Sequence, residues 1–184
     1  MLTRDEAFKL IKKYLRNQDN IKDSLAVEAI MGEMAKTLGK NRDIWSLTGL
    51  LHNLDYEYTA REPEKRGNLT AQLLEGLLPE NSVNAIKANN YMHTDYIPTT
   101  SLDKSLIAAG AASGLIFVTV KSTESQKLSD VDLPTLIEKY NDSTFAVRFN
   151  RKRIGLCADA GLDLNSFLAL CLVALQKISD QLGL

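Results

Sequence analysis

An excess of charge of either sign is missing from this sequence. Across 184 residues, 22 lysines and arginines are matched by 23 aspartates and glutamates, with the two signs mixed along the chain. That balance leaves no electrostatic footprint for a nucleic-acid backbone or an anionic membrane, so neither is an expected partner. Cysteine is scarce as well. Cys157 and Cys171 lie in apolar helical stretches without CxxC spacing, which reads as reduced, buried thiols of an intracellular protein. The first ten residues, MLTRDEAFKL, lack the basic-then-apolar layout of a signal peptide. The most apolar segment, Ser105 to Val120, is flanked by Lys104 and Lys121 and falls short of the usual bilayer-crossing length, so a central buried helix and a cytoplasmic protein are expected. No low-complexity tract, internal repeat or long alternating run is present to demand a sheet.

What remains is helical periodicity, and the predicted class is all-α. Thr3 and Glu6 have the spacing of a capping box ahead of an amphipathic helix whose Ala7, Leu10, Ile11 and Tyr14 share a face. Fraying is expected at Asn17 to Asn20. A second helix runs from about Ile21 to Leu38 and stops at Gly39, and a third covers about Asp43 to His52. Beyond a charged loop, a fourth spans about Leu69 to Leu78, and Pro79 opens a fifth that ends near Tyr91. After the buried helix come DLPTLIEKY, a short helix within FAVRFNRKRIGLCADAG ended by Gly161, and a last helix from Asp163 to Leu182. One domain is expected, with residues from about 20 to 120 as its core and those from about 130 to 184 as helices packed on it. The apolar last helix suits a core position or an oligomer interface.

The stretch GLLHNLDYEYT, residues 49 to 59, carries polar groups into an apolar context. On the second helix Asp23 shares a face with Val27, Ile30 and Met34, and on the third His52 shares one with Trp45 and Gly49. A buried carboxylate needs a partner, and an inward Asp and His from adjacent helices can serve each other or a metal ion. His52 with Asp55 is a candidate metal-free acid–base pair, although no nucleophile accompanies it. His93 stands at a helix exit, where a surface or hinge position is expected. The cluster of Arg148, Arg151, Lys152 and Arg153 is either a phosphate contact or a solvated face.

KDSLAVEAIMGEMAKTLGK followed by IWSLTGLLHNLDYEYT resembles the opening motifs of the HD superfamily of metal-dependent phosphohydrolases, in its small stand-alone HDIG-type group. The likeness continues through EKRGNLTAQLLEGL, VNAIKANNYM and LDKSLIAAGAASGLI to the C-terminal helices. It implies a helical bundle with a site between the second, third and later helices. Residue by residue, the family's first metal-binding histidine falls on Asp23 and its His-Asp pair on His52 and Asn53. The two histidines of a second metal fall on Arg66 and Asn89, and the late aspartate on Gly110. The resemblance therefore implies a ligand pocket of Asp23, His52, Asn53, Asp55, Arg66, Asn89 and Gly110 in which most metal ligands are replaced. A cation that activates water needs anionic oxygens and imidazoles, whereas Arg66 brings a fixed positive charge. Arg66 is expected either to enter the emptied cavity and pair with Asp23, and also with Asp55, or to point to solvent as charged loop residues usually do. The implied function is a non-catalytic ligand-binding or regulatory protein for a small phosphate-bearing ligand, with no cofactor expected. The alternative is a residual phosphohydrolase holding one divalent metal ion on Asp23 and His52.

Overall fold

A computed structural model describes all 184 residues. The chain is all-α, with ten α-helices, two short 3-10 turns and no strand. In order the helices are α1 (Arg4–Tyr14), α2 (Gln18–Thr37), α3 (Arg42–Leu51), α4 (Asn68–Leu74), α5 (Glu80–Asn89), α6 (Ser101–Lys121), α7 (Leu133–Asn141), α8 (Arg151–Ala160), α9 (Leu164–Gln176) and α10 (Ser179–Leu182).

Local chemistry sets most of these boundaries. The capping box of α1 is closed in both directions: the Thr3 N–H donates to Glu6 Oε2 at 2.8 Å, and the Glu6 N–H to Thr3 Oγ1 at 3.3 Å. Where fraying was expected, α2 already begins. Asn17 Oδ1 accepts the Asp19 N–H, and the distant Glu57 Oε1 accepts the N–H groups of Arg16 and Asn17 at 3.0 and 2.9 Å. The orphan donors of that helix end are thus satisfied from another part of the chain, which no local pattern could reveal. α4 is shorter than its periodicity suggests because the chain turns at Gly76, with φ of +74°. α6 starts ahead of its apolar run, on a second capping box formed by Thr100 and Asp103. The last helix is two helices, broken at Lys177 and Ile178.

α6 is long and apolar enough to cross a membrane, but 78% of its most apolar 18-residue window is buried inside the protein. It is the central core helix. It packs on α2, α5 and α8, while α2 also packs on α3 and α9. One continuous apolar core joins Ile11 of α1, Met34 of α2 and Leu106 of α6 to Phe167, Leu175 and Leu182 near the C-terminus. The α2–α3 contact is close at Gly49, where an added Cβ would lie 2.7 Å from the Val27 carbonyl oxygen. This closeness brings Asp23 and His52 within reach of each other.

Candidate functional site

Asp23 sits in the second turn of α2 with its side chain 29% exposed, and His52 follows the last turn of α3 with 3% exposed. The His52 ring is oriented by its own helix, since Nδ1–H donates to the Gly49 carbonyl oxygen at 2.7 Å. That bond leaves Nε2 aimed at Asp23 Oδ2, 3.8 Å away. With Nδ1 holding its proton, the neutral ring offers Nε2 as an acceptor facing a carboxylate that is also an acceptor.

The rest of the Asp23 shell is neutral. Asn53 Nδ2 donates to Oδ2 at 3.3 Å, and the Ser113 hydroxyl of α6 lies 3.0 Å from Oδ1. The same hydroxyl lies 3.0 Å from the Gly110 carbonyl oxygen, so its one proton is shared between two acceptors. Ser113 was not among the residues singled out in the sequence. Its position one helical turn after Gly110, on the same face of α6, was the available signal. At Gly110 itself a Cβ would meet nothing within 4 Å, so the absent side chain leaves open space.

Asp55 does different work from that expected of it. It is fully buried, and its Oδ2 accepts the N–H groups of Gly67 and Thr70 at 2.8 and 3.0 Å, while its own N–H donates to Thr70 Oγ1 at 3.0 Å. It caps the start of α4 from outside the helix. It forms no ion pair with His52 and none with Arg66. The expected Arg66–Asp23 pair is likewise not formed, because the Arg66 guanidinium stacks over the Tyr56 ring, 4.1 Å from its centroid. Its Nε is buried without a hydrogen-bond partner, and so is Asp55 Oδ1.

The basic cluster does not act as one patch. Arg148 and Lys152 are exposed. Arg151 turns inward and donates to the backbone carbonyls of Lys139, Tyr140, Asp142, Phe145, Ala146 and Phe149. This guanidinium organises the turn between α7 and α8 and seats the Phe149 ring against Gly114, where a Cβ would lie 2.0 Å from it. Arg153 alone reaches a candidate site residue. Its Nη2 donates to Asn89 Oδ1 at 2.8 Å and to the Asn89 carbonyl oxygen at 2.9 Å, and its guanidinium lies 6.0 Å from the Tyr91 ring centroid. No carboxylate pairs with it, and burial pulls its pKa below the ordinary arginine value. Asn90, next in the chain, donates to the Arg66 and Pro63 carbonyl oxygens and so fixes the start of α4 against the end of α5. His93 is exposed.

Both cysteines are buried and free. Burial pushes the Cys157 thiol up to about 11 and the Cys171 thiol well above its ordinary value, so neither supplies a thiolate at neutral pH.

The donors present fall short of the full ligand set of a hydrolytic metal centre. Asp23 and His52 converge, but Asn53 turns its amide nitrogen toward Asp23, the Asn89 oxygen is held by Arg153, and Gly110 offers no side chain. Nowhere do three His, Cys, Asp or Glu side chains gather as a metal set. A catalytic zinc takes about three protein ligands, and harder cations take more oxygens. No protein-family model, no curated protein and no solved structure matches this chain.

Proposed function

We propose that this chain is a degenerate member of the HD superfamily, a pseudoenzyme of the cytoplasm that keeps the helical pocket and binds a small phosphate-bearing ligand without hydrolysing it. The observation that carries the reading is Arg153, a half-buried guanidinium with no carboxylate partner, anchored on Asn89 beside a tyrosine ring. Arg66 supports it, with a buried Nε that lacks any partner. Guanidinium groups left without counter-charges suit phosphate oxygens, which accept paired N–H donors. Further support comes from the positions that the family likeness singles out. Asp23, His52 and Asn53 stand together, and Ser113 ties them to α6 at Gly110.

The test is titration with inorganic phosphate at constant ionic strength, followed by phosphorus NMR or calorimetry. Saturable binding that weakens about ten-fold or more in Arg153→Ala supports the proposal, since a charge-assisted hydrogen bond is worth about 1.5–3 kcal/mol. Binding that is absent, or equal in wild type and Arg153→Ala, overturns it. The 3.8 Å approach of Asp23 and His52 favours a second reading, residual phosphoesterase activity with one divalent ion. Elemental analysis of protein dialysed against manganese, iron, zinc and magnesium distinguishes the two. Stoichiometric metal that disappears in His52→Ala favours the second reading.

A further inference from the structure

A second concave region lies away from the Asp23–His52 cluster. A groove of about 600 Å³ lies between the start of α1, the start of α3, the C-terminal end of α9 and the side of α2 that carries Leu25, Ala29 and Gly32. At about 3.6 residues per turn, these α2 positions lie opposite the face that carries Asp23, Val27 and Ile30. The volume falls within the range of small-molecule pockets, about 300–1,000 Å³.

The charges around the groove are mostly matched. Arg4 grips Glu28 through Nε and Nη2 at 2.6 and 2.9 Å, and Lys177 pairs with Glu33 at 3.0 Å. These two pairs tie α1 and the end of α9 to α2 and cancel the charges they join. Asp43 stands in the first turn of α3, where a carboxylate complements the helix dipole. Arg42 is different. It occupies the first position of the same helix, where a cation is disfavoured, and it takes part in no ion pair and no side-chain hydrogen bond. Its side chain lies over Gly32, where a Cβ would come within 3.6 Å of Arg42 Nε and 2.6 Å of Ser46 Oγ. The missing side chain at Gly32 thus leaves room for the arginine stem above an apolar floor that includes Leu25, Leu47 and Ile178.

We infer that this groove binds a small amphipathic carboxylate, with its apolar body on Leu25, Ala29, Leu47 and Ile178 and its carboxylate on Arg42. The lining favours an anion, because two of its cations, Arg42 and the N-terminal ammonium of Met1, are paired with no carboxylate of this chain, against one unpaired carboxylate, Asp43. A guanidinium also accepts a carboxylate in two-point geometry. The inference is independent of the phosphate reading, since none of the groove residues belongs to the Asp23–His52 cluster.

The test uses decanoate as the probe, titrated into the full chain at neutral pH by calorimetry and followed by NMR, with decanol as the uncharged comparison. One decanoate per chain is expected, with affinity falling at least about ten-fold in Arg42→Ala and for decanol. Ala29→Trp, which fills the groove, is expected to abolish binding. Thermal melts of both variants establish that the fold persists, and Arg42→Lys should restore part of the affinity because it keeps the charge but not the two-point geometry. The proposal is overturned if decanoate fails to bind, if it binds Arg42→Ala or Ala29→Trp as tightly as wild type, or if the groove proves to be the contact between two copies of the chain.

Discussion

The two faces of α2 solve the burial of charge in opposite ways. On one, the part-exposed Asp23 carboxylate accepts from Asn53 and Ser113 and faces the His52 ring. On the other, Glu28 and Glu33 are neutralised by full cations from other helices, and a groove remains open between them. Hydrogen bonds from neutral groups hold a carboxylate without cancelling its charge, so no cation of another helix neutralises the Asp23 face. Ion pairs cancel charge, so the groove presents only what is left unpaired.

Substitutions can break this contrast or sharpen it. The largest effect is expected for Asp55→Ala, which leaves the buried N–H groups of Gly67 and Thr70 without their acceptor at the start of α4. A loss of about 2–4 kcal/mol should appear as a lower urea midpoint at unchanged slope. Because α4 does not line the groove, decanoate binding should survive in this variant, and its loss would show that the two faces of α2 are coupled. Gly49→Ala should destabilise by about 1–3 kcal/mol, since its Cβ meets the Val27 carbonyl at 2.7 Å and Met31 Cγ at 3.0 Å and must part α2 from α3. Both faces depend on that contact, so phosphate and decanoate affinities should weaken together in parallel titrations.

The smallest effect concerns pH. Burial pushes the Glu57 carboxyl up, but hydrogen bonds from Asn20, Asn17 and Arg16 outweigh it and hold the group below its ordinary value of 4.5. A carboxyl lowered in the native state stabilises the fold above its unfolded value, and that contribution fades as pH falls through the lowered native value. Glu57→Gln should therefore melt lower than wild type at neutral pH, with the difference shrinking below 4.5. A difference independent of pH would remove the ionised carboxylate from the account of how α2 starts.

Much of the fold was legible because it is written in local signals. The Thr3–Glu6 box, the buried apolar helix and the stop at Gly161 need only neighbours in sequence to be read. The early start of α2 was not legible, since its donors are satisfied by Glu57, some 40 residues along the chain. In the site, the inward placement of Asp23 and His52 followed from helical periodicity. The role of Asp55 did not, because a carboxylate just past a helix looks the same whether it faces a histidine or the N–H groups of another helix. Arg66 and Arg153 show the same limit. Both are arginines in charged stretches, and only tertiary packing sends one onto Tyr56 and the other onto Asn89.

The Arg151 guanidinium has a consequence for how the chain assembles. Its six carbonyl acceptors all lie within 12 residues of it in sequence. Closing so short a loop requires little search, and contacts of low sequence separation form quickly. The segment from α7 into α8 can therefore fold and reopen as a cooperative unit of its own. In native-state hydrogen exchange its amides should report a common opening energy distinct from that of the α2–α6 core.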